Sequence, residues 1–165
     1  MHPAVREYVA EHLPGEYESV LEVGSRDING GVRDLLAPEA AYIGVDLREG
    51  PGVDVVADFS AYRHPERVDV VLCLEVFEHT PEWREIIDSA HRNLKPGGTL
   101  IVTCATTRRP PHSAVNGGAL PPGEHYANVA QDELNLALSR GFCQVSSEVK
   151  GTDLRACAIR EDLAS

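Results

Sequence analysis

Seven short runs rich in Val, Ile and Leu constrain the fold of this chain more than any other feature. They are Ser19–Val23, Ala41–Val45, Val53–Ala57, Val68–Leu74, Thr99–Thr103, Cys143–Val149 and Leu154–Ile159. Near-continuous branched apolar residues mark strands buried on both faces, as in parallel sheets. Helix-like stretches lie among them. Pro3–His12 carries Val5, Tyr8 and Val9 at helical spacing and ends before Pro14-Gly15; Gly31–Leu36, Glu82–Leu94 and Gln131–Ser139 are the others. Thr80-Pro81 supplies a cap and a first-turn proline for the Glu82 stretch, and Lys95-Pro96-Gly97-Gly98 stops it. Strands alternating with helices predict a doubly wound α/β sheet. With 165 residues, 1–165 reads as one domain with little room for a separate substrate module.

Two connections depart from this pattern. Only Leu47 to Gly52 separate the second and third runs, with Gly50-Pro51-Gly52 among them. A parallel crossover normally takes a dozen or more residues, so this second crossover is predicted to be shortened to a turn. The other is Thr106 to Asn128, rich in Pro and Gly and long for a structureless loop. It follows the carboxyl end of the Thr99 run, where ligands bind in such sheets, and loops of this length often serve as lids or binding segments.

Composition narrows the function classes. A net charge of −11 repels phosphate backbones, so no extended nucleic-acid surface is expected. Arg108 and Arg109 sit together in the long loop, either as solvated charges or as a holder for one anionic group. No apolar run is long enough to suggest a membrane span, and Met1-His2-Pro3-Ala4 does not open a signal peptide, so a cytoplasmic protein is expected. Cys73, Cys104, Cys143 and Cys157 are far apart, with no CxxC pair, and read as reduced core thiols.

The segment Ser19-Val20-Leu21-Glu22-Val23-Gly24-Ser25-Arg26-Asp27-Ile28-Asn29-Gly30-Gly31 reads as a buried strand, a glycine turn and a helix. A glycine directly after a strand lets backbone approach a ligand, and a following helix would offer free N–H groups. The next strand ends in Asp46, where a carboxylate can accept both hydroxyls of a ribose. A dinucleotide site would need Gly-x-Gly-x-x-Gly to seat a pyrophosphate, and this segment lacks it.

These residues resemble the class I S-adenosylmethionine-dependent methyltransferases, particularly small members with a Glu-Val-Gly first motif. The resemblance continues through Tyr42-Ile43-Gly44-Val45-Asp46, Val56-Ala57-Asp58-Phe59, Asp69–His79, Leu94–Leu100 and Asp132–Phe142. It implies a Rossmann-like, mostly parallel seven-stranded sheet with the last strand antiparallel. It also implies S-adenosyl-L-methionine as cofactor and S-adenosyl-L-homocysteine as product. Gly24 would lie under the methionine portion, Asp46 would grip the ribose, and Asp58 with Phe59 would meet the adenine; Ser25 and Leu47 would also belong to the cofactor-binding set. Leu74 or Glu75 would face the methionyl amino group, and Glu22 would order the loop or reach that group through water. The family often shows Gly-x-Gly-x-Gly; Arg26 and Ile28 occupy the later positions here, which implies a different loop path.

Glu75, Glu78 and His79 follow the fourth strand. One reading is a brace for the loop and helix start. The other, implied by resemblance to small-RNA 2′-O-methyltransferases and some ubiquinone-pathway O-methyltransferases, is a magnesium-type divalent-metal site of Glu75, Glu78, His79 and His125. Without metal, His79 or His125 would be the catalytic base, since imidazole titrates near neutral pH; for His125, a loop-anchoring hydrogen bond is the alternative. His2, His12, His64, His91 and His112 read as surface residues. No Asn-Pro-Pro-Tyr follows the fourth strand, which disfavours amide or nucleobase N-methylation. The expected partner is therefore a small-molecule or saccharide-type acceptor, methylated at oxygen. The competing class is a nucleoside-binding module without productive methyl transfer.

Overall fold

The computed structural model describes residues 2–161. Seven strands form one sheet: β1 (Ser19–Val23), β2 (Ala41–Asp46), β3 (Val55–Val56), β4 (Val68–Leu74), β5 (Leu94–Ala105), β6 (Phe142–Lys150) and β7 (Asp153–Arg160). Their spatial order is β3-β2-β1-β4-β5-β7-β6. β1 through β5 pair in parallel, whereas β7 runs antiparallel to both β5 and β6. The doubly wound sheet is thus the one the apolar runs predict, and its antiparallel last strand is the one the family resemblance implies. Because the chain moves from β1 to β3 on one side and from β4 onward on the other, β1 and β4 bound the switch point at which ligands bind.

Both faces of the sheet are covered. On one, helix α1 (Pro3–His12) packs Val5, Tyr8 and Val9 against Val20, Val70, Leu72 and Ile101. His2 caps this helix, its Nδ1 accepting from the Ala4 N–H at 3.3 Å, and Pro3 occupies the first turn. On the other face, α2 (Trp83–Asn93) buries Trp83, Ile86, Ile87 and Ala90, spaced i, i+3, i+4 and i+7 as a core-facing stripe requires. Helix α3 (Gln131–Leu138) adds Leu134 and Leu138 to that core. At the lower edge Asp69 ties strands together, accepting from the Ser19 hydroxyl at 2.7 Å and from Lys95 Nζ at 2.7 Å.

Three local expectations are corrected. The stretch Gly31–Leu36 holds only a 3₁₀ turn, Arg33–Leu35, so no helix start offers its N–H groups to a ligand there. The α2 helix begins at Trp83 with Glu82 at its cap position. Thr80 instead precedes Pro81 in extended conformation, as a pre-proline residue prefers, and its hydroxyl accepts from the Glu82 N–H at 3.2 Å. Cys143 and Cys157 are only half-buried, though all four cysteines are unpaired thiols. The shortened crossover after β2 holds. It presses directly on β2, where a Cβ added to Gly44 would lie 2.1 Å from the Gly52 carbonyl oxygen. Among the described residues no helix is long and apolar enough to cross a membrane.

Candidate active site

An open cavity of about 1060 Å³ lies over the carboxyl ends of β1 to β4. Its floor begins at Gly24, which has φ +70° and whose added Cβ would meet Val76 Cγ2 at 2.5 Å. Only glycine fits that turn. The chain then crosses toward β2 rather than opening a helix: the Gly24 N–H donates to the Val45 carbonyl at 2.9 Å, and the Asp27 N–H to the Pro51 carbonyl at 2.8 Å. Arg26 is therefore held where its N–H donates to Asp46 Oδ2 at 3.2 Å. Asp46 Oδ1 accepts from the Arg48 N–H at 3.0 Å. The Asp46 carboxylate faces the cavity with its orientation set from both flanks.

The row continues to the sheet edge. Asp58 Oδ1 accepts from the Ser60 N–H and hydroxyl at 2.9 and 2.7 Å, Phe59 is buried beside it, and Leu47 lies 69% exposed at the rim. Gly24, Asp46, Leu47, Asp58, Phe59, Leu74 and Glu75 all line the cavity. Glu22 and Ser25 do not; they are buried behind it. Glu22 accepts the Tyr42 hydroxyl at 2.6 Å, and burial raises its carboxyl to about 7 despite that bond.

The other end gathers around β4 and the long loop. Glu75 has φ +58°, and its N–H donates to the Thr103 carbonyl at 2.7 Å. Its Oε2 meets Arg109 at 3.2 Å, while Oε1 is buried without a protein partner. Glu78, in a 3₁₀ turn Phe77–His79, is fully buried; Oε1 accepts from the Ala105 N–H at 3.1 Å and Oε2 has no partner. Burial first, and the Glu75 carboxylate second, push Glu78 well above the ordinary carboxylate range. His79 is half-buried, and burial lowers its imidazole to about 4. Its ring meets those of His112 and Tyr126 edge-on, with centroids 5.0 and 5.4 Å away, and His112 and Tyr126 lie 5.0 Å apart.

The loop between Thr106 and Asn128 is closed at its base and stapled at its middle. Thr106 Oγ1 donates to the Val129 carbonyl at 2.6 Å, and Ser113 Oγ donates to Glu124 Oε2 at 2.8 Å. Its tip reaches the first loop, where Arg26 Nη2 donates to the Val115 carbonyl at 3.2 Å. The segment thus roofs the cavity as a compact surface loop joined to the opposite wall.

Several residues sit elsewhere than the sequence led us to expect. Arg109 is no solvated charge: it is paired to both Glu75 and Asp153. His125 is exposed and outside the cavity lining, whereas His112 lines it. Glu75, Glu78, His79 and His125 do not assemble as one ligand set. Among the described residues, the group whose ligand atoms lie within 4.8 Å of one another is Glu78, His79 and His112. One buried carboxyl and two imidazoles form a donor set suited to transition metals, not to an ion that demands oxygen ligands, so the residues do not fit a magnesium-type ion. His112 lay beyond the reach of periodicity because a loop residue's partners depend on how the loop folds back.

A family model described as a methyltransferase domain matches residues 2–143. Ubiquinone biosynthesis O-methyltransferase of Pseudomonas syringae pv. tomato is 34% identical, the match covering 66% of this chain and 56% of that protein. The enzyme of the same name from Pseudomonas entomophila is 31% identical over 61% of this chain and 50% of its own length. The chain therefore spans about half the length of these curated relatives. Among solved structures, the 1,6-didemethyltoxoflavin-N1-methyltransferase of Burkholderia thailandensis, crystallised with S-adenosylhomocysteine, superposes with a TM-score of 0.69. It is 18% identical, with 98% of this chain and 78% of that chain covered; this likeness speaks for the fold.

Proposed function

The chain belongs to the class I S-adenosylmethionine-dependent methyltransferases, and from that premise we propose that it transfers a methyl group from S-adenosylmethionine to a hydroxyl of a small acceptor. The observation that carries the cofactor half is the row of Asp58, Asp46, Gly24 and Glu75 on consecutive strand ends. Adjacent strands lie ~4.8 Å apart, so this row spans roughly 14 Å, suited to an extended nucleoside joined to an amino acid. Asp46 would accept the ribose hydroxyls, Phe59 would cover the adenine beside Asp58, and Leu47 would pack at the rim. The methionyl group would run past Gly24 toward Leu74 and Glu75. Glu22 and Ser25, behind the lining, would support the loop rather than touch the cofactor.

Methyl transfer from a sulfonium is an in-line displacement, so positioning and exclusion of water matter most. The acceptor would lie under the long loop, against His79 and His112. Burial keeps His79 neutral at neutral pH, so it can accept a hydrogen bond without adding repulsion toward the sulfonium. His112 Nδ1 lies 3.3 Å from the Pro110 carbonyl; when Nδ1–H donates there, Nε2 keeps its lone pair and can take the hydroxyl proton. The methyl carbon gains a bond to the acceptor oxygen and loses its bond to sulfur, leaving neutral S-adenosylhomocysteine. His112 thus takes the place that the sequence suggested for His125. The O-methyltransferase names of the curated relatives support an oxygen acceptor.

The test is a panel of phenols, alcohols, saccharides and amines incubated with the full chain and methyl-labelled S-adenosylmethionine. Label in hydroxyl-bearing compounds is expected. Label in amines alone would overturn the oxygen assignment, and cofactor binding without any transfer would favour the binding-module reading.

A further inference from the structure

Resting on the cofactor reading above, we infer that Arg109 is a positioning residue that aims the Glu75 carboxylate at the methionyl end of the bound cofactor. The backbone poses the problem it solves. Glu75 adopts φ +58°, a left-handed conformation disfavoured for residues with a Cβ, and its N–H is locked to the Thr103 carbonyl at 2.7 Å. Such strain persists where the surroundings over-determine it.

Arg109 supplies that surrounding. One end of its guanidinium meets Glu75 Oε2 at 3.2 Å, and the other meets Asp153 at the start of β7. Asp153 is gripped in turn by Arg155 Nη2 at 3.3 Å, whose side chain is only 4% exposed. The result is a strut of alternating charge running from the antiparallel hairpin to the cavity wall. A planar guanidinium fork serves two carboxylates at once, which a lysine ammonium does less well. With Oε2 engaged, Glu75 keeps Oε1 buried and without a protein partner in a side chain that lines the cavity. That oxygen is a ready acceptor for an ammonium group arriving at the β4 end of the row.

Arg109 also belongs to the loop that roofs the cavity. Its carbonyl accepts from Asn128 Nδ2 at 3.3 Å, so the two legs of the loop meet at this residue. The strut therefore ties the aim of Glu75 to the closed base of the roof.

The test is calorimetric titration of the full chain and its variants with two ligands. S-adenosylhomocysteine carries the amino acid portion, and 5′-methylthioadenosine lacks it. Arg109→Gln should weaken S-adenosylhomocysteine about tenfold, the loss expected for one hydrogen bond to a charged group. Methylthioadenosine should stay within about twofold, which also shows that the variant is folded. Arg109→Lys should recover part of the loss, and adding Arg109→Gln to Glu75→Gln should cost little more than Glu75→Gln alone. Equal weakening of both ligands, or of neither, would overturn the role of Arg109 while leaving the cofactor reading intact. Wild-type protein that binds neither ligand would overturn the cofactor reading and this inference with it.

Discussion

The two ends of the cavity treat their polar groups in opposite ways. At the β2–β3 end, carboxylates are oriented by backbone: Asp46 accepts from the N–H groups of Arg26 and Arg48, and Asp58 from that of Ser60. At the β4–β5 end, Glu75 Oε1, Glu78 Oε2, His79 Nδ1, Thr103 Oγ1 and Tyr126 Oη are all buried without a protein partner. Buried polar atoms are costly when unpaired, so such a concentration marks where incoming groups or water complete the structure. On the proposed reading the first end is a preformed grip for the cofactor. The second, where Glu75 and His79 line the cavity in front of Glu78, Thr103 and Tyr126, would be completed by the acceptor under the loop.

The largest expected effect tests the grip. Asp46→Ala removes the carboxylate proposed to hold both ribose hydroxyls and should lower kcat/KM at least about 100-fold, since hydrogen bonds to charged groups contribute ~1.5–3 kcal/mol each. A drop of less than about threefold would break the comparison at its better-defined end.

The next concerns stability rather than binding. Burial raises Glu22 from 4.5 to about 7, so the folded chain holds a proton that the unfolded chain has released between those values. The resulting stability is fully present below about pH 4.5 and is lost as pH rises through about 7. Glu22→Gln keeps an acceptor for Tyr42 and removes this titration. Its stability relative to wild type should therefore rise by about 3 kcal/mol at most between pH 4.5 and 8, read from urea denaturation. A pH-independent difference would mean that Glu22 is not held in its neutral form.

Smaller effects sharpen the acceptor end. His112→Ala should reduce turnover about 100-fold while leaving S-adenosylhomocysteine affinity unchanged, the loss typical of a proton acceptor. His125→Ala, at an exposed position outside the lining, should change turnover by less than about twofold. Reversal of that order would move the acceptor site along the loop. Turnover should not depend on magnesium, because one buried carboxyl and two imidazoles are a poor donor set for that ion; activity lost on chelation and restored by magnesium would contradict this.

What the sequence disclosed follows the same division. Strand runs such as Val68–Leu74, the helix Pro3–His12 and the Gly24–Asp46 spacing are local or periodic signals, and they placed the sheet and the grip. The missing helix at Arg33–Leu35 was hidden because a short apolar stretch reads alike as 3₁₀ turn or α-helix. Arg109 and His112 were misread for a different reason. Their partners, Glu75 and Asp153 for one and His79 and Tyr126 for the other, are brought near only by the fold. No spacing rule within a Pro- and Gly-rich loop encodes those meetings.

The central claim is that the strand-end row holds S-adenosylmethionine or its product before any acceptor arrives. Calorimetric titration of the full chain with S-adenosylhomocysteine, with NADH as the comparison ligand, tests it most directly. One-to-one binding of S-adenosylhomocysteine and no heat with NADH are expected. Absence of heat with S-adenosylhomocysteine, or binding of NADH in its place, would contradict the claim.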